Sequence, residues 1–211
     1  MLVYIEPYKL QVLPGSVNLT NPTPTVDYSS TFTVPAGVYT ITVTIIGGGG
    51  GGGGEQDGCT GGAGGGGGGW RVETISVTPG QVIPYTIGKR GEGGHYRPIG
   101  TDYPARTGGD TTFAGFTSTG GGPGKSVRYE GGTGGPGGVP NGQPGTNGTG
   151  GHGGGCGPGN IYGVGGTSTS ILPTGNGSGG GGTTGCYNFN CGDDSGCPGT
   201  TGAIIVSWTG N

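Results

Sequence analysis

Apolar and polar residues alternate along several short runs of this chain. The longest run covers residues 38–46, and one of its faces carries Tyr39, Ile41, Val43 and Ile45 while threonines fill the other. A period of two with many β-branched residues is typical of a half-buried β-strand. The same alternation predicts strands over residues 31–34 and 203–208.

Short turn sequences separate these runs. Residues 35–37, Pro-Ala-Gly, predict a turn in which the glycine can take a positive φ. Residues 70–77 and 81–87 predict a second hairpin, because the Thr-Pro-Gly between them has the signature of a type II turn. Residues 111–117 predict a weaker strand. About six such strands indicate an all-β fold, either a small antiparallel β-sandwich or an open barrel, with essentially no α-helix.

Long glycine tracts lie between the predicted strands, at residues 47–54, 61–69, 120–159 and 175–185. Glycine accounts for 63 and proline for 16 of the 211 residues. Glycine and proline together exceed the roughly 25–30% of residues that is typical of low-complexity sequences, so disorder is one interpretation. The apolar strands argue against disorder, because disordered segments contain few β-branched and other apolar residues.

The third tract has a partial three-residue rhythm, with glycine at positions 142, 145, 148, 151, 154 and 157. Three residues per turn is the period of the polyproline II helix, whereas the collagen triple helix requires a longer repeat in constant register. Fixing a residue costs about 1–2 kcal/mol and a net hydrogen bond returns about 0.5–1.5 kcal/mol, so glycine segments cannot order alone. We therefore predict long glycine-rich loops, packed as polyproline II helices and clamped at one end by the β-framework.

Composition and charge exclude several function classes. The 8 Lys and Arg residues are scattered and the net charge is −3, so we expect no nucleic-acid partner. The longest apolar run is short and rich in threonine, which predicts no membrane insertion. His95 and His152 lie in separate loops, and the pair Asp193-Asp194 is interpreted as a solvated turn, with a calcium site as the alternative. No pattern predicts catalysis, a metal or a cofactor, so we expect a non-enzymatic protein.

Five cysteines, an odd number, leave at least one thiol free or paired between chains. Cys186, Cys191 and Cys197 fall in one loop, where we predict one or two disulfides; free thiols and a zinc site are the alternatives. The first residues lack the basic and apolar regions of a signal peptide. A virion protein, made in the host cytoplasm and released by lysis, reconciles disulfides with a missing signal, as would a processed or tagged chain.

Residues 1–30 differ from the rest of the chain, because prolines interrupt short extended segments there. We interpret them as an N-terminal extended arm for virion docking, with residues 31–211 as a glycine-rich β domain. Removal of residues 1–25 should then leave a folded domain. The docking residues that we predict are Tyr4, Ile5, Tyr8 and Leu10.

Aromatic residues punctuate the glycine-rich loops. Tyrosine offers a large contact area at low entropy cost, and Ser, Gly and Asn offer adaptable polar contacts, as in binding loops. The alternative is that the rings cap the ends of the glycine helices and shield them from water. The candidate receptor-binding residues are Tyr96, Tyr103, Tyr129, Tyr162, Tyr187 and Phe189.

Four signatures follow one another along the chain: FTVPAGVYTITVTIIGGGG from residue 32, TPGQVIPYTIG from residue 78, GDTTFAG from residue 109 and GAIIVSW from residue 202. Together they resemble the glycine-rich domain of bacteriophage tail-fibre and tail-tip proteins, over roughly residues 30 to 209. The resemblance implies a β-framework with packed polyproline II helices near the distal end of a fibre, and loops that contact outer-membrane receptors. It transfers no site residue, and the cysteines are not part of its pattern.

We therefore expect a phage tail-fibre or tail-tip adhesin that presents glycine and aromatic loops to the host surface. The expected partners are other virion proteins, of the fibre, baseplate or capsid, and a host surface receptor. Fibres favour a homotrimer, whereas tip proteins can be single copies. The alternative is a capsid or tail decoration protein that binds no receptor. Ice binding by a flat glycine face is a third hypothesis, which the charged and aromatic insertions oppose.

Overall fold

A computed structural model describes residues 12–54, 62–94, 104–125, 135–145, 163–164, 174–177 and 196–210. None of these residues belongs to a helix that is long and apolar enough to cross a membrane. The strands are β1 (Gly15–Thr20), β2 (Tyr28–Thr33), β3 (Thr40–Ile46), β4 (Trp70–Ser76), β5 (Val82–Ile87), β6 (Thr111–Phe113), β7 (Phe116–Ser118), β8 (Gly163–Val164), β9 (Thr174–Gly175) and β10 (Ala203–Trp208).

The strands form two four-stranded antiparallel sheets. Sheet 1 has the order β1-β10-β3-β4 and sheet 2 the order β2-β5-β6-β7, while β8 and β9 pair only with each other. The described part of the chain contains no helix. The protein is therefore all-β with a sandwich-like arrangement, which confirms the predicted fold class.

The core lies between the two sheets. Sheet 1 contributes alternate residues of β3 and β10, and sheet 2 contributes alternate residues of β2, β5 and β6. Phe32 and Phe113 meet in the core with their ring centroids 6.0 Å apart. The predicted face of β3 is buried except for Tyr39, which precedes the strand and is 65% exposed, because its neighbour Val38 takes the place in the core instead.

The two predicted hairpins are wrong in their pairing. The turn at residues 35–38 joins β2 of sheet 2 to β3 of sheet 1, and the turn at residues 78–81 joins β4 of sheet 1 to β5 of sheet 2. Both turns form as predicted, since Gly37 and Gly80 have φ of 79° and Gln81 N–H donates to Thr78 C=O over 3.0 Å. Turn chemistry sets the local bend, but sheet packing decides which strand becomes the partner.

The single strand predicted over residues 111–117 is instead a hairpin of β6 and β7. Its two turn residues, Ala114 and Gly115, have positive φ values of 50° and 83°. Such a turn is normally marked by Asn-Gly or Asp-Gly, and alanine at its first position hid the signal.

Residues 12–30 are part of the sandwich rather than of a separate arm. β1 pairs with β10 along its whole length, and β2 begins at Tyr28. The boundary predicted at residue 30 therefore falls inside sheet 2. β1 alternates with a period of two, and Val17 and Leu19 pack against the core. The prolines on either side of this short strand made its alternation hard to recognise in the sequence. Residues 1–11 lie outside the described residues, so docking through Tyr4, Ile5, Tyr8 and Leu10 stays a prediction.

The two ends of the sandwich differ. At one end, which we call the base, lie the cross-sheet turns, the start of β1 and the end of β10. At the other end, β3, β5 and β7 lead into glycine-rich segments, and β4, β6 and β10 follow from them. All the glycine segments therefore project from one end of the sandwich.

Candidate functional site: the distal end of the glycine bundle

Eight segments of the described chain make up what we call the glycine bundle. Its central segment is residues 47–54, directly after β3. The others are residues 62–69, 88–94, 104–110, 119–125, 135–138, 142–145 and 196–202. Every residue of the central segment is buried.

Hydrogen bonds from the central segment repeat every three residues. The N–H groups of Gly47, Gly50 and Gly53 donate to the carbonyls of Gly69, Gly66 and Ala63, all in residues 62–69. The N–H groups of Gly48 and Gly51 donate to the carbonyls of Gly109 and Arg106. The N–H groups of Gly49 and Gly52 donate to the carbonyls of Thr200 and Cys197. The donor–acceptor distances are 2.8 to 3.0 Å. Every third residue thus faces the same neighbour, as expected for the three residues per turn of a polyproline II helix.

Carbonyl groups of the central segment bind two further neighbours. Gly48 and Gly51 accept from Gly121 and Gly124, and Gly49 and Gly52 accept from Gly91 and Gly94. The central segment therefore has five hydrogen-bonded neighbours within the described residues. These bonds replace the hydrogen bonds to water that the peptide groups lose on burial. Glycine segments can therefore form the interior of the bundle without apolar side chains.

Glycine is needed here because the backbones approach so closely. A Cβ built on Gly47, Gly48, Gly50 or Gly51 would lie closer than 3.0 Å to backbone atoms of a neighbouring segment. None of the eight segments contains a residue of positive φ, so left-handed backbone is not the reason. Ala63 is fully buried and shows that the bundle tolerates a methyl group at that position.

The outer segments show a signal that the sequence analysis missed. In residues 88–94 and 196–202 glycine is buried at every third position, and the N–H groups of Gly196, Gly199 and Gly202 donate to the carbonyls of Gly94, Gly91 and Gly88. Other residues, such as Lys89 and Pro198, fill the positions between. Glycine at i, i+3 and i+6 was therefore the useful pattern, rather than unbroken tracts.

Polar side chains join the bundle to the sandwich. Thr111 and Ser118 are fully buried at this junction: Gly88 N–H donates to Thr111 Oγ1, and Ser118 Oγ donates to the Ile45 carbonyl, both over 3.0 Å. Asp27 Oδ1 accepts from Lys89 N–H over 2.9 Å. Each contact satisfies a backbone group where strand geometry changes to glycine-helix geometry.

The described segments meet again at the far end of the bundle, which we call the distal end. There Gly53 N–H donates to Ala63, Ala63 N–H to Lys125, and Gly196 N–H to Gly94. The central segment runs antiparallel to residues 62–69, 104–110 and 196–202, and parallel to residues 88–94 and 119–125. Antiparallel neighbours require connections at the distal end, so the residues that connect them begin and end there.

Three of the predicted receptor-binding tyrosines lie in the sequence between such flanking residues. Residues 95–103, with Tyr96 and Tyr103, connect Gly94 to Pro104, and residues 126–134, with Tyr129, connect Lys125 to Gly135. Gly94, Lys125 and Gly135 form hydrogen bonds at the distal end, and Pro104 lies two residues from Arg106, which bonds to Gly51 and Glu92. The segments that carry Tyr162, Tyr187 and Phe189 have no such pair of flanking residues. All six aromatic residues lie outside the described residues, so their role stays a prediction.

The described chemistry of the distal end is modest. Arg106 Nε lies 3.7 Å from Glu92 Oε2, and both side chains are more than half exposed, so the ion pair contributes little. Among the described residues there is no group of three or more potential metal ligands. Cys197 is disulfide-bonded and buried, and its carbonyl accepts from Gly52. Cys186 and Cys191 lie outside the described residues.

Comparison with known proteins places the chain in a family. No curated protein matches the chain. The family model that matches is described as a glycine-rich domain, and it covers residues 24–203, from the approach to β2 to the first residue of β10. The match therefore includes the central segment and the strands that hold it, and on this basis the chain belongs to the glycine-rich domain family.

Proposed function

We propose that this chain is a non-enzymatic virion protein of a bacteriophage, a tail-fibre or tail-tip adhesin that presents its distal loops to the host surface. The observation that supports this most is the polarity of the molecule. β1 begins at the base, whereas the loops with Tyr96, Tyr103 and Tyr129 attach at the opposite end. The chain can therefore attach to a particle at the base and contact a cell at the distal end.

The glycine bundle is suited to hold binding loops in place. Strands of six residues span roughly 20 Å and a polyproline II segment of eight residues spans about 25 Å, so the distal end is roughly 45 Å from the base. Hydrogen bonds between segments hold Gly94, Lys125 and Gly135, from which residues 95–103 and 126–134 extend. Loops anchored on a rigid support lose less entropy on binding, which favours affinity.

Competition with phage adsorption tests this proposal. The purified chain, added to host cells before the phage that encodes it, should reduce adsorption. Tyr96→Ala with Tyr103→Ala, or Tyr129→Ala, should weaken binding to cells by about tenfold or more, since aromatic anchors dominate such interfaces. The matched control is Tyr39→Ala, which removes an exposed tyrosine at the base and should bind as the wild type does. A chain that does not bind host cells, or loop variants that bind equally well, would contradict the adhesin role.

A decoration protein is the second candidate, favoured by sandwich faces that carry no net charge. Arg71 and Glu73 are the only charged residues in the described strands, and they pair with each other over 2.7 Å. Faces without net charge can pack flat against a particle surface. Antibody labelling in electron micrographs separates the two functions, because an adhesin lies at fibre tips and a decoration protein on the head or along the tube.

A further inference from the structure

The described neighbours of the central segment follow one another around it. Each is hydrogen-bonded to the next, in the order residues 62–69, 119–125, 104–110, 88–94 and 196–202. A polyproline II helix has three residues per turn, so its N–H groups point in three directions and its C=O groups in three more. The five neighbours take up five of these six directions. The sixth position around the central segment lies between residues 196–202 and 62–69.

The sixth direction belongs to the carbonyl groups of Gly47, Gly50 and Gly53. The N–H groups of these residues donate to residues 62–69, but no N–H group of the described residues donates to their carbonyls. All three residues are nonetheless buried. Because buried peptide carbonyls are almost always hydrogen-bonded, we expect a backbone donor at the sixth position.

Gly177 lies at the start of the sixth position. Its N–H donates to the Thr201 carbonyl over 2.8 Å, and its carbonyl accepts from Gly68 N–H over 2.6 Å. It therefore bridges the two segments between which the sixth position lies. Because Thr201 is two residues before β10, Gly177 is at the end of this position that adjoins the sandwich.

The chain after Gly177 has to reach the distal end, because it returns to the described residues at Gly196. Gly196 lies about 15 Å beyond Thr201, since a polyproline II helix rises about 3.1 Å per residue. Residues 178–182 would span the same distance of about 15 Å in this conformation. All of residues 179–182 are glycine, which the close backbone contacts of the bundle require.

Two backbone groups are placed to continue the contacts of Gly177. Gly65 N–H and the Pro198 carbonyl lie one turn further towards the distal end than the groups that bind Gly177, and neither has a hydrogen-bond partner among the described residues. Gly180 lies one turn after Gly177. Its carbonyl can therefore accept from Gly65, and its N–H can donate to Pro198.

We propose that residues 178–182 form the sixth neighbour of the central segment, and that Tyr187 and Phe189 thereby join the binding loops at the distal end. Residues 183–195 then begin where this segment ends and finish at Gly196, which bonds to Gly94 at the distal end. The receptor-binding part of this inference rests on the proposed adhesin function. The packing of residues 178–182 does not.

Alanine substitution along the segment tests the packing. Successive residues of a polyproline II helix point in three directions, so at least one of Gly179, Gly180 and Gly181 faces the central segment. At least one of Gly179→Ala, Gly180→Ala and Gly181→Ala should lower the melting temperature by about 5 °C or more, because its methyl group would overlap a neighbouring backbone. The matched control is Ser178→Ala, at a position that already carries a side chain, and it should shift the melting temperature by less than about 2 °C.

Three glycine variants that melt as Ser178→Ala does would overturn the proposal, and two further measurements would then identify the occupant. A lower melting temperature for Gly153→Ala or Gly154→Ala would place the earlier glycine tract at the sixth position. A wild-type melting temperature that rises with protein concentration would place a second copy of the chain there.

Cell binding tests the placement of the aromatic residues. Tyr187→Ala with Phe189→Ala should weaken binding to host cells by about tenfold or more and leave the melting temperature unchanged. A double variant that binds as the wild type does would refute the role of these two residues. A wild-type chain that binds no host cell would contradict the adhesin function itself, while a lower melting temperature of the glycine variants would still support the sixth neighbour.

Discussion

At the scale of single residues, glycine acts in two different ways in this protein. In the turns, Gly37, Gly80 and Gly115 have positive φ, and for Gly80 and Gly115 a Cβ would meet nothing within 4 Å. In the bundle φ is not positive, and the missing side chain is what allows backbones to touch. A sequence shows both kinds as the same letter, so residue identity alone did not separate turn glycines from packing glycines.

The first prediction compares two positions of one bundle segment. Gly66 and Ala63 are three residues apart and donate to successive turns of residues 119–125, at Gly122 and Lys125. Gly66→Ala should destabilise the protein by about 2–3 kcal/mol or more, because its Cβ would overlap the carbonyl group of Pro136. Ala63→Gly is the control and should cost at most about 1 kcal/mol. Denaturant unfolding measures both, and equal effects would refute close packing at Gly66.

The second prediction concerns the junction. Ser118→Ala removes the buried hydroxyl that donates to the Ile45 carbonyl, so that a buried acceptor loses this donor. We expect a loss of about 1–3 kcal/mol in the free energy of unfolding. Thr117→Ala alters the exposed neighbour in β7 and should change stability by less than about 0.5 kcal/mol. A Ser118 variant as stable as the Thr117 variant would mean that the junction contact contributes nothing.

At the scale of elements, strands and glycine segments are continuous units. β3 continues into the central segment, and residues 62–69 continue into β4. The period of two predicted β3, β5 and β10 close to their observed bounds, because one face of each is buried. Pairing could not be predicted in the same way, since the turns of Gly37 and Gly80 bend the chain identically whether the next strand joins the same sheet or the opposite one.

Truncation tests the assignment of β1 to the sandwich. Removal of residues 1–21 deletes β1, which would expose one edge of β10 and uncover the core beside Val206. We expect a lower melting temperature and aggregation, because an uncharged edge strand would be unprotected. Removal of residues 1–11 leaves β1 in place and should keep the melting temperature close to that of the full chain. If both truncated proteins unfold at the same temperature as the full chain, β1 does not support the sheet.

At the scale of the whole molecule, two kinds of interior share one chain. The sandwich buries the apolar residues, which make up only 27% of the sequence, and the bundle buries peptide groups that bond to one another. The sequence was sufficient to predict both kinds and their attachment at one end. It was not sufficient to predict which segments neighbour the central one, because residues 88–94 and 196–202 mix glycine with Lys, Glu and Pro. The candidate aromatic residues could be named from composition, but their arrangement depends on loops beyond the described residues.

The central claim is that the glycine segments form an ordered interior that the sandwich anchors. Amide hydrogen exchange of the full chain tests it most directly, because the N–H groups of residues 47–53 all donate to neighbouring segments. We predict exchange rates for these amides within about tenfold of those of β3, since both would open only on cooperative unfolding. Protection that ends at Ile46, with residues 47–53 exchanging as fast as an unfolded chain, would contradict the account.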